Sequence, residues 1–396
     1  MGSMSPCVRV GWSPVVRAWV LVAVGGFAPG CASSDGPDLV ARASFDLPVA
    51  MPAGVDFTPL SLELGDFDDD SRPDLLVRGL APPSVVTFAT RRGTAAGTWL
   101  DPIDAGVISC SAYSAVGSID GSAGTDLIID DCGGQIDVLS AQGDGTFAPW
   151  SRWSHPAYAL SASSVVADYE DDGDPDILTL DLSASQTWIR LAPLNGSAGV
   201  WDVKTTGIGN PEDSGFAPTR MTAGDFDGDG IMDVALNDPD TDVVLLYGTS
   251  LGRFELPLSV GVSVPPTATY AVSVDGDDWL DLVVRSEVTD EIEVLRGRPS
   301  GLRQSQVIDL GGFSPTDLAV TDLDNDGNVD LAIVDYTVAE ARWYEGDGHG
   351  HFAFGGTIDL AVPALRVHAA DVDNDAIVDL VLATYDDETI TVVPGT

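Results

Sequence analysis

The stretch Asp225-Phe-Asp-Gly-Asp-Gly-Ile-Met-Asp233 decides how this chain is read. Carboxylates stand at its first, third, fifth and ninth positions, and four like charges in nine residues repel unless a cation sits among them. A hard divalent ion that takes six to eight oxygens accounts for both their number and their spacing. Gly230, at position six, permits the sharp turn that wraps a chain around an ion, and the backbone carbonyl of Ile231 adds a further oxygen. Short alternating apolar runs lie on both sides, so the loop joins two strand candidates. Two more runs follow across turn clusters, ending in Arg253-Phe-Glu-Leu-Pro-Leu258.

Working outward, the same loop recurs with first positions at Asp66, Ser118, Asp168, Asp225, Ser273, Asp322 and Asp371, a period near 50 residues. That period suits a four-stranded propeller blade. The residue before each loop is modest in size (Gly65, Gly117 and Gly224 among them), which suits innermost strands converging on an axis. The residue after the ninth position is Leu75, Leu127, Ile177, Val234, Leu282, Leu331 or Leu380, suited to a core between sheets. The last unit stops after its third strand. Residues 44–49, Ser-Phe-Asp-Leu-Pro-Val, look like residues 253–258 and supply an orphan fourth strand near the start. The expectation is an all-β, seven-bladed β-propeller of four-stranded blades over residues 43–396, its ring closed by an N-terminal strand.

Five loops carry the full set of acids: Asp66, Asp68, Asp70, Asp74; Asp168, Glu170, Asp172, Asp176; Asp225, Asp227, Asp229, Asp233; Asp322, Asp324, Asp326, Asp330; and Asp371, Asp373, Asp375, Asp379. Five complete copies in phase with a structural repeat argue against merely solvated acidic turns, and calcium, about five ions, is the expected cofactor. An EF-hand is excluded, because position twelve is Val77, Thr179, Leu236, Ile333 or Leu382 instead of glutamate. The fifth loop has Ser273 first and keeps Asp275, Asp277 and Asp281 as a weaker set. The second keeps only Asp120 and Asp126 and is expected to bind nothing.

Ahead of the repeats, Arg9 and Arg17 precede an apolar run over residues 18–28 and then small residues around Cys31. This reads as an export signal over residues 1–31, of lipoprotein type with Cys31 lipidated, followed by a linker over residues 32–42; cleavage near Ala32 is the other reading. Export favours a disulfide between Cys110 and Cys132, which bracket one hairpin of the second unit. Acids number 62 against 18 basic residues, a net charge of -44, so nucleic acid and anionic lipid surfaces are excluded as natural partners. The seven loops hold 25 of those acids at their ligand positions.

The acidic loops, the small residue before them and Gly-Asp-Gly-Thr-Phe at residues 143–147 resemble FG-GAP and VCBS repeats, which form the seven-bladed propeller of integrin α subunits. The resemblance implies an extracellular calcium-binding propeller used for adhesion or ligand recognition. Most Phe-Gly and Gly-Ala-Pro signatures of the animal proteins are missing, so an integrin ligand does not carry over.

No nucleophile beside a base, transition-metal cluster or phosphate loop stands out. The expected function is recognition of an extracellular protein or glycan by a monomer, whose membrane contact would be a lipid anchor. The alternatives are a calcium-dependent polysaccharide lyase or hydrolase, or a structural cell-envelope protein. Residues 149–160 and 207–218 are the longest connections expected on the face opposite the acidic loops. The first carries Trp150, Trp153, His155 and Tyr158, which suit stacking on a sugar ring or anchoring a protein loop, unless they pack between blades.

Overall fold

A computed structural model describes residues 49–52, 58–81, 85–94, 99–108, 113–121, 124–131, 135–154, 160–169, 173–182, 187–192, 204–209, 218, 220–238, 242–299, 301–384 and 389–395. Every regular element among these residues is a strand, and the fold is a β-propeller. Seven four-stranded antiparallel sheets follow one another along the chain. The fifth is typical: Ala268–Val272, Asp281–Ser286, Glu291–Arg296 and Arg303–Asp309 pair in sequence order. Each sheet therefore needs only short hairpin connections, the first of which is the acidic loop.

The inner strands are Thr58–Gly65, Tyr113–Gly117, Leu160–Ala167, Arg220–Gly224, Ala268–Val272, Asp317–Thr321 and Ala364–Ala370. One cavity of about 350 Å³ is lined by residues from all seven. The second strands read as continuous apolar runs because both of their faces are covered. Asp281–Ser286, Asp330–Val334 and Asp379–Thr384 are buried at every position.

Between the sheets lies the core. Each of seven apolar clusters spans two consecutive sheets, for example Val283 and Val294 of the fifth with Leu331 and Ile333 of the sixth. One of them joins the first sheet to the seventh, through Leu62, Leu64 and Leu75 against Val381, Ile390 and Val392. Full burial of one such side chain stabilises the fold by about 1.5–3 kcal/mol. The modest residues before the loops keep this contact close. A Cβ on Gly117 would lie 3.1 Å from Val166 of the next sheet, and one on Gly224 would press on Leu280 at 2.5 Å.

The seventh sheet is completed from the other end of the chain. Val49–Pro52 pairs antiparallel with Thr389–Val393, with Val49 opposite Val392 and Pro52 opposite Thr389. Of the strand expected over residues 44–49, Val49 lies in this pairing and residues 44–48 fall outside the described residues. The fourth sheet departs from the expectation. Arg253–Phe254 pairs with Gly248–Thr249 in a small ribbon, and the fourth strand is Leu258–Val260. This fourth strand begins directly after Pro257, which has no amide to donate to a ladder.

The two long connections are also shorter than expected. Phe147–Ser154 and Lys204–Gly209 are outer strands, leaving residues 155–159 and 210–219 between the elements.

Candidate metal centre

The ninth acid of every loop is buried, at most 1 % exposed in Asp74, Asp126, Asp176, Asp233, Asp281, Asp330 and Asp379. Its first job is internal. In all seven sheets one carboxylate oxygen accepts the amide of position two, at 2.6–2.9 Å. In six, the other oxygen accepts the amide that ends the third strand, from Gly93, Ala141, Gly248, Gly297, Gly346 or Gly395, at 2.6–3.0 Å. One side chain thus ties the loop to a neighbouring strand end. Burial pushes these carboxyls up, to about 6 in Asp74, Asp281 and Asp379 and to about 7 in Asp233 and Asp330, with the two amides pulling the other way.

Position two is the partner of that staple and points into the core. Phe67, Ile119, Tyr169, Phe226, Val274, Leu323 and Val372 are all buried. Five of the strand-end residues are glycines because a Cβ there would collide with the carbonyl of position eight, as at Gly346 over Val329. Reading the acids alone misses both features. The visible signal was that position two is aromatic or aliphatic in all seven loops.

Position one closes the loop. Its two oxygens accept the amides of positions five and six, as Asp326 to Asp322 at 3.2 Å and Gly327 to Asp322 at 2.9 Å. Position five accepts the amide of position seven, as Asn328 to Asp326 at 2.7 Å. Position six takes the left-handed backbone that its glycines suggest, with φ 88° at Gly230 and 91° at Gly173 and Gly327. Position four does the same at Asp69, Gly228, Gly276, Asn325 and Asn374, residue types that tolerate it.

These turns bring the acids together. Carboxylate oxygens lie within 4.8 Å of one another in Asp66, Asp68 and Asp70; in Asp225, Asp227 and Asp229; in Asp275, Asp277 and Asp281; in Asp322, Asp324 and Asp330; and in Asp371, Asp373 and Asp379. The fifth loop, expected to be weaker, gathers its three acids like the others. In the third loop Asp168 closes on Gly173 and Asp176 holds Tyr169, whereas Glu170 and Asp172 lie outside the described residues. The second loop forms no such cluster among its described residues.

Position three carries the unresolved charge. Burial first and the neighbouring Asp326 carboxylate second push Asp324 up to about 6. Asp68, Asp227 and Asp373 are raised as well, again chiefly by burial. Asp68 also has a buried oxygen, Oδ1, without a hydrogen-bond partner. Clustered, hard, partly desolvated oxygens of this kind fit a divalent cation such as calcium.

Arginine divides the loops further. Arg72 pairs with Asp70, Arg92 lies 3.7 Å from Asp68, and Arg296 pairs with Asp275. In the fourth, sixth and seventh loops no ion pair to the clustered acids occurs among the described residues.

Of the aromatics expected at a ligand surface, Trp150 stands on the outer strand and packs against Ile119, Ile128, Ile136 and Ile177 between the second and third sheets. Trp153 is on the same strand, opposite Ile136. His155, Tyr158, Cys31, Cys110 and Cys132 lie outside the described residues.

The FG-GAP-like repeat pattern matches residues 273–333 and again 322–382, which cover the fifth, sixth and seventh acidic loops. No curated protein sequence matches the chain. Among solved structures, BBS1N, crystallised in complex with ARL6DN, is similar with a TM-score of 0.62 at 11% identity, over 89% of this chain and 97% of that one. A protein from Lactobacillus plantarum is similar with a TM-score of 0.55 at 18% identity, over 74% of this chain and 84% of that one. At such identities the likeness concerns the fold alone. The chain is thus a β-propeller that carries FG-GAP-like repeats.

Proposed function

We propose that the protein is an exported, calcium-binding, seven-bladed β-propeller that recognises a protein or glycan outside the cytoplasm. The observation that carries this reading is the repeated clustering of three carboxylates in five acidic loops. Three of those clusters have no arginine paired to them among the described residues, and their position-three acids are pushed up by burial first and by neighbouring carboxylates after it. Calcium neutralises that repulsion and leaves a rigid face of loops. Seven blades are supported by the seven four-stranded sheets and by the apolar cluster shared by the first and seventh. Support for export is the charged and apolar pattern before Cys31, with lipidation of that cysteine as the anchor. Cys110 and Cys132 would then close a disulfide across the hairpin formed by Tyr113–Gly117 and Asp126–Asp131.

The ligand surface we assign is the face opposite the acidic loops, where residues 155–159 and 210–219 connect blades. Variable connections on a rigid scaffold are where binding usually resides. Trp153, His155 and Tyr158 are its aromatic anchors. An array of glycans and extracellular proteins, probed with the full chain in calcium and in chelator, tests the reading. Binding to a defined class in calcium only is expected. Binding to no member, or equal binding in chelator, would overturn it.

A further inference from the structure

The cavity on the propeller axis is chemically unlike the rest of this molecule. In a chain with a net charge of -44 and only 18 basic residues, three arginines, Arg78, Arg220 and Arg366, line its wall of about 350 Å³. Among the described residues two acids, Glu63 and Asp317, accompany them. Asp317 is already engaged, accepting the Tyr270 hydroxyl at 3.3 Å and the Val367 amide at 3.1 Å. Glu63 is half-buried, and enclosure pushes its carboxyl up to about 7 in spite of Arg78, which weakens its negative charge at neutral pH. Burial holds His368 neutral by lowering its pKa, so it offers a ring nitrogen and adds no charge. Among the described lining residues positive groups therefore outnumber negative ones.

Its shape follows from the strand alternation. Arg220, Asp317 and Arg366 stand five residues before their loops, and Glu63, Thr222, Tyr270 and His368 stand three before. The small residues directly before the loops, such as Gly65, Gly117 and Gly224, are not among the lining residues. The cavity thus stops short of the acidic-loop end, where the strands converge. It opens at the other end, where Arg220 is exposed.

One buried polar group in the wall lacks the partner that burial demands, and one half-buried arginine has donors to spare. Ser164 is 7 % exposed, and its Oγ has no hydrogen-bond partner. The Arg366 guanidinium donates only to the Leu365 carbonyl, at 3.0 Å, among the described residues. A buried hydroxyl without a partner is destabilising, and a ligand oxygen would offset that. We propose that the axial cavity binds one small hydroxylated carboxylate of sugar-acid size, its carboxylate meeting Arg366 and Arg220 and a hydroxyl meeting Ser164. A negative charge suits the excess of positive groups in the wall, and the volume falls within the range of small-molecule pockets. The site is separate from the acidic loops and does not depend on their binding calcium.

Calorimetric titration of the calcium-loaded full chain with D-glucuronate, D-galacturonate and D-gluconate tests this, with D-glucose and D-galactose as neutral counterparts. At least one acid binds one to one with a Kd below about 1 mM, and the neutral sugars bind at least about tenfold more weakly. Arg366→Gln weakens binding at least about tenfold and Ser164→Ala several-fold, with little change in unliganded melting temperature. Failure of all three acids, equal binding of the neutral sugars, or unchanged affinity in Arg366→Gln overturns the proposal. Binding that survives Arg366→Gln but is lost in Asp324→Asn is chelation by the loops and also overturns it. If Arg366→Gln does not fold, Ser164→Ala decides, and an unchanged affinity there counts against the cavity.

Discussion

At the scale of single residues, the four acids of a loop divide the work, and two substitutions separate their roles. Asp126 belongs to the second loop, which forms no carboxylate cluster, yet its carboxylate takes amides from Ile119, Asp120 and Ala141 at 2.8–3.0 Å. Asp126→Asn replaces one acceptor with a donor and is expected to lower stability by about 1–3 kcal/mol, equally in calcium and in chelator, by denaturant unfolding. Asp324→Asn should do the reverse. Without calcium it removes a carboxyl already pushed up to about 6 and leaves stability unchanged or higher, and with calcium it reduces the gain. Glu63 provides a third test. Arg78, Arg220, Arg366 and Asp317 face it, and its folded pKa of about 7 lies above its ordinary value of 4.5. The fold therefore holds the proton more tightly than the unfolded chain does, and wild-type stability falls as pH rises from about 4.5 to above 7. Glu63→Gln should melt with the wild type at pH 4 and be more stable at pH 8, by on the order of 1–3 kcal/mol. The acids themselves were legible in the sequence because they recur in phase. Their division into staple, loop closure and ligand was not, because an aspartate that accepts buried amides is spelled like one that binds an ion.

At the scale of elements, the repeat pattern located the sheets, and local chemistry moved their edges. The resemblance of residues 44–49 to residues 253–258 identified two equivalent strands, since Val49 and Leu258 occupy matching places and each opens the observed strand. Pro257 shifted the start of the second to Leu258. Residues 149–154 read as connection because Pro149 and two tryptophans break the alternation, yet they pair along Gln135–Ala141 as an outer strand. Trp150 there fills the gap between sheets, a demand of packing that a one-dimensional pattern does not express. A truncation checks the closing element. Removing residues up to 37 should leave melting unchanged. Removing residues up to 52 strips the partner from Thr389–Val393, exposes the edge amides of the seventh sheet, and should lower the melting temperature or cause aggregation in light scattering. Equal behaviour of the two truncations would contradict the pairing.

For the whole molecule, acidity and architecture are linked. The chain gathers carboxylates at one end of its sheets and arginines around its axis, so the net charge of -44 conceals two opposite local fields. The sequence showed the first, because loop acids lie close together along the chain. It hid the second, because Arg78, Arg220 and Arg366 come from three different sheets and meet only on folding. Calcium held by the native loops alone stabilises the fold by mass action, by about 2.7 kcal/mol per site at a hundredfold excess over Kd. The most direct test is calcium titration of the chelator-stripped protein by calorimetry, with melting followed on the same samples. The account predicts at least three ions, held by the fourth, sixth and seventh loops, and a melting temperature that rises with calcium more than with magnesium. No heat of calcium binding, together with identical melts in calcium and chelator, would contradict it.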